Sequence, residues 1–270
     1  MVEATRVNPR EEPYAVWRTD KEPTPGYTRE LVSTEVDTKY YDDLASQPVQ
    51  RPGLQTFLQT FELNVAESPN APFLGRRIKL PDGTMTPDYV WKTVSEVNKE
   101  VKDLAKGLME GEFCPEVDGE VEGQKLRFCG VMAKNRMEWT QTLLACMHYK
   151  IIIVGFFTAM GVDQIEFILN QTEMSTLVVE PDFVAKIVGM KKDGQAAHIK
   201  NLVIMDDKAP ENAEECAEVG LKITLFPAVQ EAGGKAKDAP EFTYPGPHDP
   251  YMFCYTSGTT GDSKGVKLTH

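Results

Sequence analysis

From residue 126 to residue 226, short apolar runs rich in β-branched residues alternate with segments whose apolar positions recur every three to four residues. That alternation limits what the chain can fold into. Residues 126–132, 151–157, 176–180, 202–205 and 223–226 read as strands. Residues 136–149, 162–171, 183–190 and 209–219 read as helices, with Trp139, Leu143, Leu144 and Met147 marking the face of the first. Continuous apolar strands, as opposed to alternating ones, are covered on both faces, and strand–helix–strand units join parallel strands. The expected body is therefore α/β, a mostly parallel sheet covered by helices.

Upstream, Leu54, Leu58, Phe61 and Val65 predict an amphipathic helix ending before Pro69. Residues 73–80 and 84–91 flank Pro81-Asp82-Gly83 and predict a hairpin. Val94, Val97, Val101, Leu104 and Leu108 mark a long helix that stops at Gly111. Residues 115–125 read as an exposed acidic loop without the spacing of a calcium-binding loop. Prolines at 9, 13, 23, 25, 48 and 52 break any helical run, so residues 1–52 are expected to form an extended arm and residues 53–270 a domain.

The net charge of −12, with acidic residues spread along the chain, argues against a nucleic-acid partner, which needs a basic face. Five scattered cysteines without a CxxC pair suggest neither a disulfide framework nor a zinc site, and buried inert thiols are expected. The four histidines show no metal-ligand spacing, so no metal site is assigned. The N-terminus has no apolar signal core, and the most apolar stretch, near residues 151–160, is too short to span a bilayer.

Residues 231–250 are rich in Gly, Pro and Lys and read as a linker to a strand at 251–255. That strand leads into TSGTTGDSK, residues 256–264. Glycines let backbone N–H groups turn toward an anion, hydroxyls donate further hydrogen bonds, and a lysine adds a mobile positive charge, which together suit a polyphosphate. A Walker-type loop needs GxxxxGK[ST] followed by a helix. Here Lys264 lies between Ser263 and Gly265, and the following Val266 and Leu268 alternate with polar Lys267 and Thr269, which is the period of a strand. The expectation is a strand–loop–strand hairpin with the polar loop at its tip.

The stretch YTSGTTGDSKGVKLTH resembles the phosphate-binding signature of the adenylate-forming, or AMP-binding, superfamily, with Ser263 where proline is usual. Residues 131–179 and the run Leu202-Val203-Ile204-Met205-Asp206 are similar to long-chain fatty acid–CoA ligases. Gly155-Phe156-Phe157 replaces a more usual proline-containing turn. The resemblance implies the N-terminal domain of the acyl-CoA synthetase/luciferase type, here incomplete. It implies ligation of a fatty acid to coenzyme A through an acyl-adenylate, driven by ATP and Mg2+. Thr256, Ser257, Gly258, Thr259, Thr260 and Gly261 would form the β/γ-phosphate cradle and Lys264 the charge-neutralising contact. It places the adenine and ribose contacts, the magnesium ligand, the acyl pocket and the catalytic lysine downstream of His270. The chain is accordingly expected to be an N-terminal part, truncated after the phosphate loop and inactive alone.

Alternatives are a short non-catalytic nucleotide- or partner-binding form, or another acyl or aryl adenylate-forming ligase. The resemblance allows peripheral membrane association through segments outside this chain, and a place in the cytoplasm or on the cytosolic face of the endoplasmic reticulum. It leaves oligomeric state open. Trp139 and Phe167 are expected in the core, Arg136 in a solvated or capping role, and Asp206-Asp207 at a loop start.

Overall fold

The computed structural model describes residues 15–34, 36–42, 53–119, 123–257 and 263–270. They divide between two units, Met1–Leu54 and Gln55–His270. In the first, β1 (Ala15–Trp17) pairs antiparallel with β2 (Leu31–Ser33). Arg18 is buried there and reaches Asp20, Glu30 and Asp42 at 2.8–2.9 Å. Those carboxylates hold its guanidinium above the usual arginine range.

The second unit opens with helix α1 (Phe57–Glu67), followed by β3 (Pro72–Arg76), β4 (Val90–Thr93) and helix α2 (Val94–Glu110). Both helices start with a reciprocal cap. Thr56 Oγ1 accepts from the Gln59 N–H while Gln59 Oε1 accepts from the Thr56 N–H, and Thr93 and Glu96 do the same. The T-x-x-Q and T-x-x-E spacings are sequence signals for these starts. The expected hairpin is β3 with β4, extended by a bridge between Lys79 and Met85.

Then come β5 (Glu116–Asp118), β6 (Lys125–Met132), α3 (Met137–Met147), β7 (Ile151–Gly155), α4 (Val162–Thr172), β8 (Thr176–Val179), α5 (Val184–Lys192) and β9 (Asn201–Ile204). The rest is α6 (Ala213–Glu218), β10 (Lys222–Leu225), α7 (Phe226–Lys235), β11 (Pro250–Ser257) and β12 (Ser263–Thr269). The sheet runs β10-β9-β8-β6-β7-β11-β12, and every pair from β10 to β11 is parallel. Only β12, paired with β11, and short β5, paired with the start of β6, are antiparallel.

Successive strand residues face opposite sides, so each strand feeds two cores. Cys129, Val131, Ile151, Ile153, Val178 and Val203 pack with α1, α2, α3 and α7. Phe128, Met132, Ile152, Val154, Leu177, Val179, Leu202 and Ile204 pack with α4, α5 and α6. This is the expected three-layer α/β body.

Two expectations are corrected. The acidic segment is not all loop, because residues 116–118 pair with 125–127; residues 120–122 lie outside the described part. The linker begins later than expected, because α7 continues to Lys235. Its Gly233 meets Gly107 of α2, and a methyl group added to either glycine would fall on the other helix's backbone, at Asp103 or Val229. The glycines bring two helices together; they do not loosen a linker.

Candidate phosphate-binding hairpin

Strand β11 is apolar because its residues are enclosed on the sheet. Phe253 is buried with its ring edge-on to Phe128 at 5.4 Å, and its backbone pairs in parallel with Val154 of β7. Tyr255 is also buried and donates its hydroxyl to Gln171 Oε1 of α4 at 2.6 Å. The chain then returns through β12, with Cys254 opposite Val266, Tyr255 opposite Gly265, and Thr256 opposite Lys264. Gly265 lets the Tyr255 ring lie close, since a Cβ there would stand 3.1 Å from the ring and oblige it to shift by a few tenths of an ångström.

The hairpin anticipated from period two is thus present, and its antiparallel return excludes the helix that a Walker loop needs. Of the anticipated cradle, Thr256 and Lys264 are exposed cross-strand partners and the Ser257 backbone pairs with Ser263. Gly258, Thr259, Thr260 and Gly261 lie outside the described residues. Among the described residues, Lys264 meets no carboxylate, so its charge is available at the base of the loop. None of the seven cradle residues carries a carboxylate, so none supplies an anionic ligand to Mg2+.

Because β11 is parallel to β7 and β6, its loop leaves from the carboxyl edge of the sheet, the edge where open α/β sheets bind ligands. The same edge carries Arg136. At the N-cap of α3, its guanidinium donates to Glu138 at 2.8 Å, to Asp206 at 2.9 Å and to the Met205 carbonyl, with Glu180 at 3.9 Å. Burial alone would lower its pKa, but the hydrogen bonds it donates to Glu138 and Asp206 outweigh this and hold it above the usual arginine range. Lys134 adds a second clasp, its backbone N–H to Glu180 and its ammonium to Asp182, each at 3.1 Å. These carboxylates neutralise Arg136, which cross-ties β6, β8 and β9 beside a cavity of about 330 Å³ and is not a free anion contact. Apart from Glu138, two positions on, the members of the tie lie 44 to 70 positions away, so it was invisible in the sequence.

Trp139 packs against the core as expected, whereas Phe167 is 39% exposed on α4. Cys114, Cys129, Cys146 and Cys216 are buried, and Cys254 is half-buried. Contact with Cys129 and burial push the Cys114 thiol well above the usual range; Cys129, lowered by its contact with Cys114, is raised well above it by contact with Cys146 and by burial, and both stay protonated and inert. Among the described residues no group of three His, Cys, Asp or Glu could hold a metal, and no helix is long and apolar enough to cross a membrane.

Residues 61–270 match the AMP-binding enzyme family. Long-chain-fatty-acid–CoA ligase 6 of Homo sapiens is 30% identical over 235 residues, an alignment that takes in 86% of this chain and 30% of the relative. The adenylation domain of a carboxylate reductase from Mycobacterium chelonae superposes with a TM-score of 0.63 at 17% identity, over 82% of this chain and 35% of that one. A putative long-chain-fatty-acid CoA ligase from Rhodopseudomonas palustris gives 0.53 at 18% identity, over 79% and 44%. The chain therefore spans about 30% of the length of the curated relative it matches. With the family matched from α1 through the β11–β12 hairpin, and the same fold in solved adenylation domains, the chain belongs to the AMP-binding enzyme family.

Proposed function

We propose that this chain carries the ATP-phosphate-binding part of a long-chain fatty acid–CoA ligase. In the first step a fatty acid carboxylate oxygen attacks the α-phosphorus of ATP, and the bond to the bridging oxygen breaks, releasing diphosphate and leaving an acyl-adenylate. In the second, the coenzyme A sulfur attacks the acyl carbon, AMP leaves, and the thiol proton passes to solvent. Mg2+ travels with the ATP phosphates, and its protein ligand is not assigned to a residue of this chain.

The observation that carries the reading is the β11–β12 hairpin, which sets exposed Thr256 directly opposite exposed Lys264 at the carboxyl edge of the parallel sheet. The chain's own part in the chemistry is to grip the departing diphosphate. Hydroxyls and backbone N–H groups of residues 256–261 donate to its oxygens, and the Lys264 ammonium offsets the negative charge that grows as the bond breaks. The likeness to named ligases supports a fatty acid as the carboxylate and coenzyme A as the thiol.

The test is ATP–pyrophosphate exchange by the longest natural form of the protein, with and without a long-chain fatty acid. Acid-dependent exchange is expected; its absence would overturn the proposal.

A further inference from the structure

The β11–β12 hairpin reaches past the sheet that carries it. β11 pairs with β7 at Met252 and Phe253, whereas its ladder with β12 continues to Ser257. Among the described residues, Cys254 to Ser257 therefore have β12 as their strand partner, and β12 is itself the outer strand of the sheet. A two-stranded ribbon is marginally stable in water, so its position has to be set by more than its own ladder.

Helix α4 supplies the hold. Ile165, Ile168 and Leu169 are fully buried and seat that helix on the sheet, and its last turn presents Gln171, whose Oε1 accepts from the Tyr255 hydroxyl at 2.6 Å. Tyr255 is buried and its ring lies against Gly265 of β12, so one hydrogen bond reaches both strands of the ribbon. Thr256 comes next and stands opposite Lys264, which puts the bond one residue below the pair that offers itself to phosphate. Successive strand side chains take opposite faces, so Gln171 lies on the far side of the ribbon from Thr256. A cavity of about 130 Å³ lined by Leu126, Phe128, Gln171, Tyr255 and Gly265 leaves room beneath the ribbon for it to shift once the bond is gone.

We propose that Gln171 is a positioning residue for ATP: by holding Tyr255 it keeps Thr256 and Lys264 where the phosphates bind, and ATP does not have to order the ribbon as it enters. This rests on the reading of the hairpin as the phosphate site of a ligase. Without the bond the competent position is only part of the population, and apparent affinity falls by that fraction while turnover of the loaded site is unchanged.

Titration calorimetry with Mg-ATP and ATP–pyrophosphate exchange, both on the longest natural form, test it. Gln171→Leu is expected to raise the Kd and the KM for ATP each about fivefold, the population shift that a hydrogen bond of ordinary strength holds, with kcat within about twofold. Gln171→Glu keeps an acceptor at the same reach and should restore most of the affinity. Tyr255→Phe should match Gln171→Leu, and the double variant should be no worse than either, because both remove the same bond. A side chain that only stabilised the fold would reduce the amount of active protein, and with it kcat, and leave KM in place. Unchanged ATP affinity in Gln171→Leu, a loss confined to kcat, a glutamate no better than leucine, or additive losses in the double variant would overturn the proposal. Binding separates it from the ligase reading: weaker ATP binding by Gln171→Leu in a protein without acid-dependent exchange upholds the positioning role and sinks the ligase, and a parent protein that does not bind ATP sinks both.

Discussion

The Tyr255 hydroxyl donates to Gln171 Oε1 at 2.6 Å, tying strand β11 to helix α4 one residue before Thr256, where the candidate phosphate loop begins. The same ring fills the space that a side chain at position 265 would need. Tyr255→Phe removes only the hydrogen bond to an exposed partner, so it should lower stability by about 1 kcal/mol. Gly265→Ala pushes on the ring and should cost about 1–3 kcal/mol. Urea unfolding of both variants measures the difference; a larger effect from the tyrosine would show that the hydroxyl, not the ring's seat, fixes the hairpin.

Lys264 has no carboxylate partner among the described residues and stands opposite Thr256. Lys264→Ala should therefore leave stability nearly unchanged while slowing ATP–pyrophosphate exchange by about 100-fold, the scale of losing one strong contact to developing charge. Thr256→Val should have a smaller effect of the same kind. Exchange kinetics equal to those of the unsubstituted enzyme would remove Lys264 from the phosphate site.

Gly107 and Gly233 let α2 and α7 approach backbone to backbone. An alanine at either position cannot be accommodated by rotating a side chain, because the obstruction is the carbonyl of Val229 or Asp103. Gly107→Ala should destabilise the protein by about 3 kcal/mol or more even though alanine is the better helix former. A variant as stable as the parent would show that the helices slide apart freely.

Arg136 is the one cation that Glu138, Glu180 and Asp206 share. Arg136→Ala leaves Glu138 with only Arg76 at 4.0 Å and Glu180 with only Lys134, and should cost about 2 kcal/mol after allowance for the partial exposure of the group. Arg136→Lys should recover only part of this, because an ammonium cannot reach several acceptors in a fork. Full recovery by lysine, read as the unfolding midpoint, would contradict the shared-fork geometry.

His148 is buried, with Nδ1 2.9 Å from the Leu144 carbonyl, Nε2 without a partner among the described residues, and the Phe242 ring edge-on at 4.8 Å. Burial, with repulsion from Lys102, lowers its pKa below the ordinary 6.5. Below the ordinary value the unfolded chain takes up a proton that the folded chain refuses, so stability falls as pH drops from about 6.5 toward the folded-state pKa. The fall is complete once both states are protonated. Denaturant midpoints between about pH 7.5 and about pH 5 should show this slope, and His148→Gln should flatten it; an unchanged slope would place the titrating group elsewhere.

Much of the architecture was legible locally. The apolar runs at 126–132 and 202–205 became parallel strands, the Val97, Val101, Leu104 and Leu108 face became the buried side of α2, and Val266 with Leu268 announced the returning strand. These patterns report backbone geometry, and a period of two or 3.6 is a property of the backbone itself. Of the candidate site, the strand after the loop was legible for the same reason, while Gly258 to Gly261 lie outside the described residues.

What the sequence could not disclose is which distant segments meet. Gly233 and Gly234 read as linker because glycine usually loosens a chain, yet Gly233 exists to admit α2, more than 120 positions away. Phe167 read as core by type but lies on the outer face of α4, since the position of an element in the layers decides which of its faces is covered. Arg136 read as a solvated side chain or a helix cap, and only folding brought Glu180 and Asp206 around it. The amino-acid order by itself determined most of the elements, the parallel sheet and the antiparallel return of β12 on β11. The tertiary structure alone decided that Tyr255 and Gln171 hold that hairpin's root and that Gly107 and Gly233 set a helix crossing, because such contacts depend on distances in space that no local pattern records.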